Sequence, residues 1–231
     1  MARRHRGQEA LSFPRPSASP MIDLSTMNGG KQLEVFHSNK GADGDRPQNW
    51  ATPLPLYREI EEAFAGREGF ALDACAEEWN AKAPFYFDEQ LDALSLDRPW
   101  HVTRDARVNE HAEERNPSAI YDPLGGMREA PVFGRRDVWV WCNPPYNAID
   151  AFVAKAIREL DAGAYAGCVF LFPNRSDREW WHRLVKPRAW HIEEIQGRVN
   201  FVAPPGAEIT AAGGYEPSVV VVFRNGIRGR A

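Results

Sequence analysis

The sequence predicts an α/β domain with a mostly parallel sheet, helices on both faces and an antiparallel strand at the sheet edge. Val138–Leu160 combines an apolar run, a four-residue turn and a segment with apolar residues at helical spacing. Two further apolar runs, Phe70–Ala76 and Gly167–Pro173, are typical of strands buried on both faces. Three later segments are predicted to be closing strands, antiparallel at the edge of the sheet: His191–Ile195, Arg198–Val202 and Ser218–Arg224.

The central turn, Asn143-Pro144-Pro145-Tyr146, follows the apolar run Val138–Cys142. A residue before proline is pushed into extended conformations, and proline itself has no N–H group. The corner therefore presents acceptors, namely the Asn143 side-chain carbonyl and the Pro144 backbone carbonyl, beside the Tyr146 ring. We expect these groups at the carboxyl end of a strand, where open α/β sheets bind their ligands.

Two carbonyl acceptors beside an aromatic ring match an exocyclic amine on a planar heterocycle. Such an amine donates two hydrogen bonds, and its ring can stack on Tyr146. Its lone pair is delocalised into the ring and is a poor nucleophile. Two well-placed acceptors favour a pyramidal nitrogen whose lone pair points at an electrophile, which is catalysis by positioned dipoles. The alternative is a proline-rich loop with a packed tyrosine and no chemistry.

Several short motifs lie one after another between residues 49 and 224. They are W-A-T-P at Trp50–Pro53, F-A-L-D-A-C-A at Phe70–Ala76, N-A-K-A-P-F-Y at Asn80–Tyr86, D-A-L at Asp92–Leu94, W-C-N-P-P-Y at Trp141–Tyr146, L-F-P-N-R-S-D at Leu171–Asp177, G-R-V-N-F at Gly197–Phe201 and E-P-S before the last strand. Their order and spacing resemble the phage-type DNA N-6-adenine methyltransferases, the Dam family of phages and prophages. Only N-P-P-Y is specific by itself.

The resemblance implies a Rossmann-like, S-adenosylmethionine-dependent methyltransferase fold. It implies methyl transfer to the N6 amine of an adenine flipped out of double-stranded DNA. The catalytic candidates are Asn143, Pro144, Pro145 and Tyr146. The cofactor candidates are Trp50, Thr52, Pro53, Asp73, Ala74, Cys75, Asn80 and Asp92. The DNA candidates are Phe201, which would pack against the flipped base, with Arg198 and Arg175.

The Trp50–Pro53 segment also has the residue pattern of a helix start. Thr52 is expected to cap the helix that Pro53 opens, and a helix N-terminus suits a carboxylate. Asp73 ends a predicted strand, where a carboxylate is well placed to accept hydrogen bonds from a ligand. The sequence contains no G-x-G, so Ala74 and Ala76 would have to allow the close backbone approach that glycines usually provide.

Two other functions stay open. Cytosine-N4 methylation shares the geometry of the turn, and an inactive DNA-binding relic would keep the turn without the cofactor site. Cytosine-C5 methylation is disfavoured because its cysteine nucleophile usually follows proline, whereas Cys142 follows Trp141. Protein-glutamine methyltransferases also use N-P-P-Y, but they resemble a glycine-rich pattern that is absent here.

Length and composition indicate the domain organisation, the kind of DNA-binding surface and the cellular location. The 231 residues, 43% of them hydrophobic, can form one domain at 33–231, with a disordered basic arm at 1–32 and an insertion at about 95–137. The net charge of −4 means that DNA contacts must come from a local basic surface. Three cysteines, no transmembrane run and no secretory signal lead us to expect an intracellular protein without a metal. The resemblance to phage-type enzymes implies the cytoplasm of a bacterial host or phage-infected cell. The oligomeric state and the recognition sequence are not indicated.

Overall fold

A computed structural model of the chain describes residues 50–66, 69–100, 106–111, 138–207, 211–213 and 216–225. The predicted arm at 1–32 and most of the predicted insertion at 95–137 lie outside these ranges. Nine strands occur within the described ranges: β1 (Phe70–Asp73), β2 (Phe85–Tyr86), β3 (Arg107–Val108), β4 (Trp139–Cys142), β5 (Gly167–Pro173), β6 (His191–Glu194), β7 (Asn200–Val202), β8 (Ala211–Gly213) and β9 (Ser218–Arg224).

Two α-helices accompany these strands, α1 (Leu54–Phe64) and α2 (Ile149–Asp161). A 3₁₀ turn at Glu89–Leu91 and a π-helical turn at Trp181–Val185 complete the helical structure of the described ranges. None of the helices described here has the length and apolar character needed to cross a membrane.

Seven strands form one sheet in the order β3-β2-β1-β4-β5-β9-β6. Strands β2, β1, β4 and β5 are mutually parallel, and β3, which lies in the predicted insertion and was not predicted as a strand, is antiparallel at one edge. The prediction for the closing strands is partly wrong. Strand β9 lies between β5 and β6 rather than at the edge, and it is antiparallel to both. Strand β7 is not part of this sheet and pairs instead with β8 in a separate two-stranded sheet.

The central strands separate two apolar layers. Every residue of β4 and β5 is buried, as expected for parallel strands covered on both faces. Val140 and Cys142 pack into the cluster that contains the apolar face of α2. Trp139 and Trp141 pack into the cluster that contains Tyr57 of α1. Because alternate residues of a strand point to opposite faces, α1 and α2 cover opposite sides of the sheet, as predicted.

The start of the predicted insertion is fixed to α2 by buried charges. Lys155 and Glu159 form an ion pair with an Nζ–Oε1 distance of 3.3 Å. Lys155 also donates to the carbonyl of Arg98, and Glu159 accepts the backbone N–H of Trp100 at 2.8 Å. Trp100 is itself buried against α2. Residues 107–108 then supply β3, so the described parts of this region belong to the fold.

Gly167 is required where β5 starts. Its register partner in β4 is Trp139, and a Cβ at position 167 would overlap the Trp139 indole ring. The guanidinium of Arg224 lies over the same ring, 6.0 Å from its centroid. The ring is therefore enclosed by neighbours and has little room to move away.

Gly167→Ala should lower the free energy of unfolding by about 1–3 kcal/mol, because an added methyl group overpacks the interior. Urea denaturation measures the change. The double variant Gly167→Ala/Trp139→Leu serves as the control, because the smaller side chain makes room and should make the two effects non-additive. A Gly167→Ala protein as stable as wild type would contradict this packing.

Candidate functional site

The site is built where β1 and β4 end side by side. Asp73, the last residue of β1, pairs in register with Trp141 of β4. One residue further on, the backbone N–H of Ala74 donates to the Trp141 carbonyl at 2.8 Å. The Asn143–Tyr146 turn leaves the sheet immediately after β4. Parallel pairing therefore brings the Asp73 carboxylate and the proline-rich turn to the same edge of the sheet, as the sequence predicts.

A cavity of about 270 Å³ lies at this edge. Asn143 and Pro145 line it on the turn side. Six of the predicted cofactor residues also line it: Trp50, Thr52, Asp73, Ala74, Cys75 and Asn80. Pro53 and Asp92 do not. Pro53 stands at the cap position of α1, and Asp92 shapes a turn by accepting the N–H of Leu94.

Asn143 is held by a residue distant in sequence. Its Nδ2 donates to the Thr52 hydroxyl oxygen at 3.2 Å, and Thr52 is only 3% exposed. Within the described ranges Asn143 Oδ1 accepts no hydrogen bond, and neither does the Pro144 carbonyl. The prediction that Thr52 caps α1 is wrong. Pro53 takes the cap position, no side chain caps the helix, and the Thr52 hydroxyl instead contacts Asn143.

Tyr146 is partly exposed at the surface, with 38% of the residue accessible to solvent. Beside it, Arg175 forms an ion pair with Glu216 of the E-P-S motif. Desolvation raises the pKa of Tyr146 to about 12, with Glu216 adding to the rise and Arg175 opposing it. The phenol is therefore neutral at physiological pH.

Phe201, a predicted DNA-contacting residue, lies in the protein interior. It is 4% exposed and packs into the apolar cluster on the α1 side of the sheet. Its neighbour Val202 exchanges two backbone hydrogen bonds with Ala51, at 2.8 and 2.9 Å. The structure therefore does not bring Phe201 into the cavity. Its ring anchors the strand that holds the Ala51–Thr52 segment. Arg198 is exposed nearby in sequence.

The charged residues that line the cavity are mainly acidic. Burial raises the pKa of Asp73 to about 7, while Lys82 and the backbone N–H groups of Cys75 and Lys82 lower it. Burial also raises the pKa of Glu77, and the nearby carboxylates of Asp88 and Glu89 add to this. Lys82 lines the same cavity and donates to the Asn80 carbonyl at 2.9 Å. A ligand that carries positive charge and hydrogen-bond donors would relieve this crowding of carboxylates.

Several cavity residues were missed by the sequence reasoning: Glu77, Phe87, Asp88 and Glu89. Three of them directly follow β2, which is only two residues long and has no recognisable periodicity. The rule that places ligands at the carboxyl ends of parallel strands would have identified them if β2 had been recognised.

The cysteines at the site are poor nucleophiles. Cys142 is fully buried, and burial raises the pKa of its thiol well above the ordinary value. Burial likewise raises the pKa of Cys75. Since the thiolate is the reactive form, neither side chain suits covalent catalysis. Among the residues that the structure describes, no group of three or more His, Cys, Asp or Glu side chains could hold a metal ion.

Comparison with known proteins finds a family model that matches part of the chain. Residues 134–230 match the family model described as DNA N-6-adenine-methyltransferase (Dam). Over these residues the match confirms the resemblance seen in the sequence, whereas the motifs between Trp50 and Leu94 lie outside it. The matched range contains the Asn143–Tyr146 turn, Arg175 and the G-R-V-N-F motif, whereas Thr52 and Asp73 precede it. No curated protein matches the chain.

The raised pKa of Asp73 predicts a pH dependence of stability. Between about pH 4 and pH 7 the folded state keeps a proton that the unfolded chain releases. The contribution of Asp73 to stability should therefore fall as the pH rises through this window and level off above it. Asp73→Asn removes this contribution, so the melting temperature of the variant relative to wild type should rise from pH 4 to pH 7 and then stay constant.

Thermal melts at several pH values measure this difference. Asp97→Asn, at an exposed position, controls for the loss of one carboxylate. Parallel curves for wild type and Asp73→Asn across this window would show that burial does not perturb Asp73.

Proposed function

We propose that this protein transfers a methyl group from S-adenosylmethionine to the exocyclic N6 amine of adenine in DNA. The observation that carries the proposal is the Asn143 amide. Its NH₂ group is bound to Thr52, and its oxygen accepts nothing from the described residues, at the edge of a cavity. The family match over residues 134–230 includes this turn and supports the assignment.

The architecture supports a Rossmann-like methyltransferase fold. Strands β2, β1, β4 and β5 are parallel, and β9 is inserted antiparallel between β5 and β6. The cavity lies at the carboxyl ends of β1 and β4, where such sheets bind their ligands. Helices on both faces leave this edge of the sheet open to ligands.

The cavity lining suits S-adenosylmethionine, which supplies an electrophilic methyl group when bound. Its sulfonium and ammonium charges match the carboxylates of Asp73 and Glu77, and its carboxylate matches Lys82. The residues that would hold it are Trp50, Asp73, Ala74, Cys75 and Asn80. Pro53 and Asp92 are left out because neither lines the cavity.

The turn would activate the target amine. Asn143 Oδ1 and the Pro144 carbonyl accept its two N–H groups, which draws the lone pair out of conjugation. The same oxygens stabilise the positive charge that develops on the nitrogen as it is methylated. They are held in place before the reaction, because two prolines fix the backbone and Thr52 fixes the amide.

Tyr146 would stack on the flipped adenine. Base stacking on an aromatic side chain contributes about 1–3 kcal/mol, which offsets part of the cost of extruding the base. Arg175, beside Tyr146, and the exposed Arg198 would contact DNA phosphates. We propose that this activity takes place in the cytoplasm of a bacterial host or phage-infected cell, as the resemblance to phage-type enzymes implies.

Asn143→Ala should reduce turnover about 100- to 1,000-fold, as removal of one preorganised hydrogen-bonding group does at other active sites. Cofactor affinity should change little, because the amide oxygen is assigned to the base. Transfer of labelled methyl groups to DNA measures turnover, and calorimetric titration measures cofactor binding.

Asn225→Ala is the matched control. Asn225 follows the β9 residue that pairs with Gly167, so it lies at the opposite end of the sheet, where its amide donates to the Tyr165 carbonyl. It should keep normal turnover. Wild-type turnover in Asn143→Ala would reject the proposed role of the turn.

The identity of the product separates the competing functions. Mass spectrometry of nucleosides from DNA incubated with the protein should detect N6-methyladenine. N4-methylcytosine in its place would establish the cytosine-N4 activity, which uses the same two acceptors. No methylated base, together with no heat on titration with S-adenosylmethionine, would indicate an inactive DNA-binding protein.

A further inference from the structure

Resting on this proposed function, we infer that Thr52 is a positioning residue that sets the orientation of the Asn143 amide. Thr52 lies 91 residues before Asn143, in a segment that the resemblance assigns to the cofactor. The contact between the two side chains gives Thr52 a role in the chemistry of the base. This role accounts for a hydroxyl-bearing residue at a position where it caps no helix.

The amide has two ends with opposite hydrogen-bonding properties. Its oxygen accepts and its NH₂ group donates, and a half-turn about the last side-chain bond exchanges them. A target amine offers donors to the turn, so an Asn143 NH₂ facing the base would be repelled by it. In the structure the Thr52 oxygen accepts from Nδ2 at 3.2 Å, which leaves Oδ1 as the end available to the base. A hydroxyl can also donate, so Thr52 holds the amide at this end, and the donors of the target amine complete the selection of its orientation.

Thr52 can do this because its own segment is held firmly. Ala51 exchanges two backbone hydrogen bonds with Val202 of β7. Phe201, on the same strand, is buried beneath α1. On the other side of Thr52, the Pro53 carbonyl accepts the N–H of Tyr57 and begins the helical hydrogen bonding of α1. A side chain that is 3% exposed also meets little competition from water for its hydrogen bond.

The same chain of contacts explains the G-R-V-N-F motif. Its phenylalanine anchors β7, β7 anchors Ala51, and Ala51 fixes the backbone on which Thr52 sits. The motif therefore acts on Asn143 through the Trp50–Pro53 segment. The two regions are about 150 residues apart in the sequence, as their numbering shows, and are brought together by the fold.

A cofactor-binding role for Thr52 makes the opposite kinetic prediction. If its hydroxyl held S-adenosylmethionine, its loss would weaken cofactor affinity and leave turnover at saturation nearly intact. If it orients Asn143, its loss lowers turnover at saturation and leaves cofactor affinity intact. The two roles are therefore separable in one variant.

Thr52→Val removes the hydroxyl with little change of shape, and Thr52→Ser keeps it. We expect Thr52→Val to lower kcat about 10- to 100-fold, as expected when a reacting group is misoriented. The cofactor Kd from calorimetry should stay within about twofold, and Thr52→Ser should restore most of the turnover. In the Asn143→Ala background, Thr52→Val should cause no further loss, because both changes act on one interaction.

A second measurement does not depend on activity. The side-chain NH₂ resonances of Asn143, assigned by their loss in Asn143→Ala, should exchange slowly with water in wild type and Thr52→Ser. They should exchange faster in Thr52→Val. Melting curves on all variants establish that they are folded.

The outcomes distinguish two failures. Wild-type protein that methylates no DNA overturns the proposed function, and the role of Thr52 in it falls as well. If the wild-type protein is active, two results for the variant would overturn the role of Thr52 while leaving the proposed function intact. One is unchanged kcat in Thr52→Val, and the other is raised cofactor Kd with kcat preserved.

Discussion

The site depends on the parallel pairing of β1 with β4. Asp73 and Trp141 are register partners, and the Ala74 N–H to Trp141 carbonyl bond extends the pairing past the last residue of β1. This alignment brings an acidic strand end and a proline-rich turn to the same cavity. A slip of one residue would turn each side chain to the other face and separate them. The buried layers on both sides of β4 hold the register.

Around this pairing, the fold gathers segments that lie far apart in the sequence. The turn provides acceptors, the Trp50–Pro53 segment provides the hydroxyl that holds Asn143, and β7 holds that segment. The acidic residues after β2 close the other side of the cavity. Each part is rigid for a local reason, such as proline geometry, a backbone bridge or a buried ring. Preorganisation of this kind is what a mechanism based on fixed dipoles requires.

The sequence predicted much of the fold because its signals are local. The β4-turn-α2 unit and the buried strands β1 and β5 follow from apolar runs and helical spacing. The interior position of β9 did not follow, because strand order depends on packing and not on chain order. Thr52 was misread as a helix cap, since the local pattern does not reveal a partner 91 residues away. Phe201 was assigned to the base by resemblance, and only the tertiary structure shows its burial.

The most direct measurement is a crystal structure of the protein with S-adenosylhomocysteine and a DNA duplex that contains its target adenine. The account predicts a flipped adenine whose amine nitrogen lies about 2.7–3.2 Å from both Asn143 Oδ1 and the Pro144 carbonyl oxygen. The amide nitrogen should still contact Thr52. A bound base whose amine contacts other groups, or an amide whose oxygen faces Thr52, would contradict it.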